Sequence, residues 1–107
     1  MEIKQYQVFI VNLDPTVGSE IKKTRSCVVI SPDEMNRHLN TIVIAPITSQ
    51  SKRYPTRLEI ILNDNINWIA VDQIRTIDKK RIIKNIAELT VPEVRKLKNK
   101  IREIYVD

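Results

Sequence analysis

Apolar, largely β-branched runs recur along the chain between short polar breakers. Val8 to Leu13, Cys27 to Ile30, Thr41 to Ile47, Leu58 to Leu62 and Trp68 to Ile74 have the length and composition of strands. The breakers are Asp14-Pro15 with Gly18-Ser19, then Ser31-Pro32-Asp33, the stretch from Ser49 to Pro55, and Asn63-Asp64-Asn65. In the last of these, Asn63 and Asn65 are the expected carriers of positive φ, because Asn tolerates the left-handed region and no Gly is at hand. Asp33 to Leu39 has room for a short helix capped by Ser31 or Asp33.

Near the C-terminus the apolar period lengthens from two residues to about 3.6. Val91, Val94, Leu97, Ile101 and Ile104 then share one face of a helix, with Arg95, Lys96, Asn99 and Lys100 largely off it. Thr90-Val91-Pro92-Glu93 marks its start. The Thr90 hydroxyl and Glu93 carboxylate can satisfy each other's backbone donors, and Pro92 lacks a donor that would be orphaned there anyway. Arg81 to Leu89 suits strand or helix; a strand leading into the cap is the reading adopted. Short strands at regular spacing followed by one helix predict a mostly β fold, a small, strongly bent sheet or barrel closed by the helix. With no repeat or long linker, residues 1–107 are expected to form one domain.

Composition narrows the chemistry. The 107 residues carry 18 Lys+Arg against 13 Asp+Glu, a formal +5 spread over both halves. Gly18 is the only glycine, which excludes Gly-rich phosphate loops; His38 is the only histidine, which excludes paired-imidazole catalysis within one chain. The lone Cys27 cannot form an internal disulfide and leaves no thiolate cluster for zinc. No apolar run approaches the ~20 residues that span a bilayer, and MEIKQYQ lacks the order of a signal peptide. A cytoplasmic protein with no membrane association is expected. A chain of this length buries about 60–70% of its unfolded surface, so a dimer interface would add useful stability.

Four segments could carry chemistry. Lys22-Lys23-Thr24-Arg25-Ser26 sets three cations at the entrance to an apolar strand. Arg25 would sit at the rigid end, where its planar fork suits two phosphate oxygens and its charge stabilises a phosphoryl transition state; an exposed loop or an ion pair with Glu20 is the plainer alternative. Ala45-Pro46-Ile47-Thr48-Ser49-Gln50 ends a strand in three hydrogen-bonding side chains. The Thr48 hydroxyl could meet a phosphate or simply satisfy local backbone groups. Lys52-Arg53-Tyr54-Pro55-Thr56-Arg57 combines cations with an aromatic, as single-stranded nucleic acid binding requires and as solvated loops also do. Asp72-Gln73-Ile74-Arg75 offers an acceptor, an amide and a cation for base edges, or an Asp72/Arg75 pair pinning a strand end. The cations of Lys79 to Arg81 and of the terminal helix read as solvated faces, the alternative being a phosphate-attracting field, and Trp68 reads as a core or dimer contact rather than a stacking platform.

The blocks Leu13-Asp14-Pro15-Thr16-Val17-Gly18-Ser19-Glu20, Lys23-Thr24-Arg25, Val28-Val29-Ile30-Ser31-Pro32-Asp33, Ala45-Pro46-Ile47-Thr48 and Asp72-Gln73-Ile74-Arg75-Thr76 resemble, in order and spacing, the MazF/PemK toxin family. The resemblance covers nearly the whole chain. It implies an SH3-like barrel with a C-terminal helix, a homodimer, and a sequence-specific endoribonuclease that cuts single-stranded mRNA with neither metal nor cofactor. It also implies neutralisation by a cognate antitoxin. Arg25 and Thr48 match the family's catalytic positions, for attack of the ribose 2′-hydroxyl on the adjacent phosphate to leave a 2′,3′-cyclic phosphate and a 5′-hydroxyl. By the same analogy Thr16, Gly18, Ser19, Glu20 and Lys22 on one loop, Ser49, Gln50, Lys52 and Arg53 on another, and Gln73 would contact RNA. Two positions depart from the family's habit: Arg25-Ser26 stands for Arg-Pro, and Tyr6-Gln7 for Gly-Asp.

Two other readings remain. A CcdB-like gyrase poison would share the fold, but that activity goes with a Trp-containing tail, and this chain ends Ile104-Tyr105-Val106-Asp107. A non-catalytic nucleic-acid-binding module would fit the +5 charge equally well.

Overall fold

The computed structural model describes residues 2–13, 24–50 and 54–107. Seven strands, β1 (Gln7–Asn12), β2 (Thr24–Val29), β3 (Thr41–Thr48), β4 (Arg57–Leu62), β5 (Asn65–Ala70), β6 (Arg75–Asp78) and β7 (Ile82–Glu88), alternate with α1 (Asp33–His38) and end in α2 (Val91–Ile101). The strands form one antiparallel sheet in the order β4-β5-β3-β2-β1-β7, with β6 pairing β3 beside this path. The mostly β expectation holds. One predicted strand divides: the run from Trp68 to Ile74 breaks into β5, a 3-10 turn over Val71–Gln73, and β6. Arg81 to Leu89 is mainly strand leading into the cap, as expected.

Strand alternation gives the sheet two apolar faces. Val8, Val28, Ala45, Ile47, Leu58, Ile60 and Ile69 project one way, and α2 closes over them with Leu97, flanked by Val94, Ile101 and Ile104. Phe9, Val11, Cys27, Val29, Ile42, Ile44 and Ile77 project the other way into a second cluster, enclosed as the sheet curls on itself. The registers Val8↔Val28 and Val28↔Ala45 belong to the first face; Phe9↔Cys27, Val29↔Ile44 and Ile42↔Ile77 belong to the second. Since a one-residue slip would exchange the faces, burial on both sides fixes the register firmly.

The start of α2 carries the predicted capping box. Thr90 Oγ1 accepts from the Glu93 N–H at 3.3 Å, and Glu93 Oε1 accepts from the Thr90 N–H at 2.9 Å. Glu93 Oε2 also accepts from the Ile61 N–H of edge strand β4, so one carboxylate caps a helix and covers a sheet edge. Val91, expected on the apolar face, is 71% exposed; burial begins one turn later.

Two turn details differ from expectation, and a third turn carries a positive φ. In the β4–β5 hairpin, positive φ falls on Asn63 (51°) and Asp64 (64°), while Asn65 already belongs to β5. Left-handed φ at both central residues is the two-residue turn whose twist matches the strands. Ser31 does not cap α1, which has no side-chain cap; buried, it donates from Oγ to Asn36 Oδ1 and accepts from the Val43 N–H, tying the helix to β3. Tyr6, where the resemblance implies glycine, takes φ 71° in a turn closed by Gln7 N–H to the Lys4 carbonyl. Its ring packs on the first cluster beneath the Lys98 ammonium, 6.0 Å from the ring centre.

Candidate functional site

The second face does not end at its buried cluster. Continuing by twos from Val29 and Cys27 along β2 reaches Arg25; from Ile44 and Pro46 along β3, Thr48; and from Ile77 back along β6, Arg75. The apolar floor therefore runs out into polar side chains on three strands at once. They line a cleft of about 330 Å³ with Leu13, Pro46, Arg57, Ala70 and Gln73.

Each polar group has a local reason for its position. The β1–β2 register sets Arg25 opposite Val11, with Cys27 behind it donating from Sγ to the Arg25 carbonyl at 3.8 Å. Gln73 reaches the cleft because the 3-10 turn over Val71–Gln73 carries the chain from β5 to β6. That turn is held from two sides: Tyr105 Oη donates to the Val71 carbonyl at 2.7 Å, and the Val71 N–H donates to the Thr56 carbonyl. Thr48 Oγ1 donates to the Gln50 carbonyl at 3.0 Å and accepts from the Gln50 N–H at 3.2 Å. Its hydroxyl thus closes its own turn, and meeting a phosphate means exchanging those bonds.

The cleft's charge is cationic. Arg57 donates from Nε to Asp72 Oδ1 at 2.8 Å and from Nη2 to Oδ2 at 3.3 Å, a two-pronged pair, and lies 5.5 Å from the Tyr54 ring centre. The Arg57 hydrogen bonds hold the Asp72 carboxyl below the usual carboxylate range, against a smaller opposing effect of burial. The expected Asp72/Arg75 pair does not form. The β4–β5 register Arg57↔Ala70 brings Arg57 to the turn, while pairing with Ile44 carries Arg75 away across β3. Arg25 and Arg75 consequently face the cleft with no anionic partner among the described residues.

Cys27, though near Arg25, is no nucleophile. Burial pushes its thiol up to about 12, and the opposing pull of Arg25 and Arg75 is too weak to offset it. His38 is exposed on α1 and does not line the cleft.

Of the residues assigned to the site from the family resemblance, the structure brings Arg25, Thr48 and Gln73 together. Ser49 and Gln50 are exposed just beyond β3 without lining the cleft; Thr16, Gly18, Ser19, Glu20, Lys22, Lys52 and Arg53 lie outside the described residues. Sequence reasoning does not join Arg57 and Arg75 to Arg25 in one site. The signal for Arg75 is its alternation with Ile77 and its pairing with Ile44 on one face, which becomes visible only once β6 is recognised as a strand. Trp68, expected in a core or dimer contact, belongs to neither apolar cluster.

Residues 4–105 match the family model described as PemK-like, MazF-like toxin of type II toxin-antitoxin system. The chain is 37% identical over 95 residues to endoribonuclease EndoA of Bacillus subtilis (strain 168), covering 83% of this chain and 82% of that protein. It superposes on MazF from Deinococcus radiodurans with a TM-score of 0.81 at 21% identity, covering 97% of this chain and 96% of that one. A mycobacterial endoribonuclease solved with its cognate antitoxin gives a TM-score of 0.79 at 20% identity, with 94% and 92% covered. At these identities the structural matches speak for the fold.

Proposed function

The chain belongs to the PemK-like, MazF-like toxin family of type II toxin–antitoxin systems, and from that premise we propose that it is a sequence-specific endoribonuclease that cleaves single-stranded mRNA. The observation that carries the reading is the cleft in which Arg25, Arg75 and Thr48 stand at the end of one sheet face. Two guanidiniums without a described anionic partner are built to receive a phosphate, and no thiolate or imidazole lines the cleft to attack it.

The nucleophile then comes from the substrate. The ribose 2′-oxygen forms a bond to the adjacent phosphorus as the bond to the 5′-oxygen breaks, giving a 2′,3′-cyclic phosphate and a 5′-hydroxyl. The 2′-hydroxyl loses its proton and the departing 5′-oxygen takes one up. Arg25 stabilises the charge that grows on the non-bridging oxygens, in a fixed orientation that water would have to reorganise to imitate. Thr48 orients the phosphate or passes a proton after releasing Gln50. Gln73, on its anchored turn, offers an amide to a base edge. DNA, lacking the 2′-hydroxyl, binds but is not cut. No step calls for a metal.

The same proposal includes a homodimer neutralised by a cognate antitoxin. The mycobacterial relative solved with its antitoxin supports the latter, and an antitoxin placing a carboxylate between Arg25 and Arg75 would compete directly with phosphate. The test is to incubate the purified chain with a long RNA in the presence of chelator and to map the ends. Cuts at one short sequence, with 5′-hydroxyl and cyclic phosphate ends, are expected. Binding without cuts would leave a nucleic-acid-binding module instead, and cuts that vanish with chelator would overturn the metal-free scheme.

A further inference from the structure

The sheet face that bears the cleft continues past it onto β5 and β4. Thr48 pairs directly with Trp68 on β5, and Trp68 with Glu59 on β4. Directly opposed residues of antiparallel strands project to the same side, so Thr48, Trp68 and Glu59 form a row leading out of the cleft, about 5 Å from one strand to the next. Ile66 and Ile61, two residues further along β5 and β4, are paired with each other on this side and exposed. Trp68 itself is half-buried yet packs against neither apolar cluster.

We infer that Trp68 is a stacking platform for the base of a nucleotide adjoining the scissile phosphate, an inference that rests on the RNA-cleaving reading above. An indole one strand away from the phosphate-facing Thr48 is within reach of a base whose backbone is held by Arg25 and Arg75. The charges sort the two parts of the nucleotide. Arg25 and Arg75 face the cleft and attract phosphate, whereas Trp68 is flanked by the exposed pair Ile61 and Ile66 and by the Glu59 carboxylate, which repels phosphate and accepts from an exocyclic amine. Backbone belongs in the cleft and base on the row. A stacked base contributes about 1–3 kcal/mol on such platforms, about 5- to 150-fold in affinity.

Trp68 is the only tryptophan, so its emission reports on this position in the unmodified protein. The probe is a short RNA spanning the mapped cut, with a 2′-O-methyl group at the cut ribose to block cleavage and a fluorescent end label to follow binding independently. Saturable quenching of Trp68 in step with binding is expected, together with its loss when the base flanking the cut is removed to leave an abasic site. In cleavage assays Trp68→Leu is expected to raise KM about 5- to 150-fold with kcat held within about threefold, and Trp68→Tyr to recover most of the loss. Binding of the labelled RNA without any change in Trp68 emission overturns the inference while leaving the nuclease reading intact. Emission that instead follows protein concentration in the absence of RNA overturns it in favour of a contact between two copies. Failure of the RNA to bind or be cut at all sinks the nuclease reading itself.

Discussion

Tyr6 offers a test in which the ordinary order of two substitutions reverses. In regular structure Gly is less stable than Ala by roughly 0.5–1 kcal/mol, because it gives up more conformational freedom on folding. At φ 71° the order should invert, since a Cβ in the left-handed region costs about 1–2 kcal/mol that Gly avoids. Both variants lose the same ring. Its packing on the first cluster is worth roughly 1–2 kcal/mol for a half-buried aromatic, and the Lys98 ammonium adds about 0.5 kcal/mol at the outer limit of its range. The expected ranking is therefore wild type, then Tyr6→Gly, then Tyr6→Ala, with Gly above Ala by about 1 kcal/mol. Urea unfolding followed by circular dichroism measures it, and for a domain of this size the gap corresponds to about 4–8 °C in Tm. Finding Tyr6→Ala as stable as Tyr6→Gly, or more so, would refute the reasoning from backbone strain. The chain would then be shown to reach this turn without the cost its geometry implies.

Three further outcomes follow from the site. Cleavage should rise steadily with pH from about 5 to 8 without a bell-shaped optimum, because the cleft holds no imidazole and burial keeps Cys27 protonated up to about 12; a descending limb in that range would contradict it. Cys27 should resist thiol reagents at pH 8 until the protein is unfolded, and Cys27→Ala should keep its cleavage rate while losing about 1 kcal/mol of stability by urea titration. The Asp72 carboxyl is lowered in the folded state, so its contribution is present above the unfolded value near 3.9 and fades as pH falls through the folded value. Asp72→Asn should accordingly cost up to about 1 kcal/mol at pH 7, the range of a part-exposed ion pair, and less as pH falls below about 3.9; a cost undiminished down to pH 2 would count against the pair.

The parts of the fold that sequence discloses are those set by local rules. Alternation places the long strands because each is buried on at least one face, and Thr90 with Glu93 marks the start of α2 because a capping box needs only neighbours in sequence. What stays hidden depends on register. Asp72 and Arg75 lie three residues apart and read as a pair, but the end of a 3-10 turn and the start of a four-residue strand separate them, and a strand from elsewhere delivers Arg57. Tyr at position 6 is visible as a departure from the family's glycine, yet its φ emerges only with the turn around it. The site is legible at Arg25, Thr48 and Gln73 through the family pattern. Arg57 and Arg75 join the cleft through strand pairing and a turn, and Trp68 stands beside Thr48 through strand pairing, which no single stretch of sequence records.

The most direct test of the central claim compares wild-type protein with Arg25→Ala and Arg25→Lys on one RNA carrying the mapped cut, under single-turnover conditions with chelator present. Loss of the oriented guanidinium should slow cleavage about 100- to 1,000-fold in Arg25→Ala, as removal of a transition-state charge stabiliser does, with Arg25→Lys recovering only part because a point charge cannot span two oxygens. RNA affinity should change far less, since Arg75 remains in the cleft. If Arg25→Ala cuts at the wild-type rate and only binds more weakly, Arg25 anchors RNA without taking part in its cleavage, and the catalytic role assigned to it is wrong.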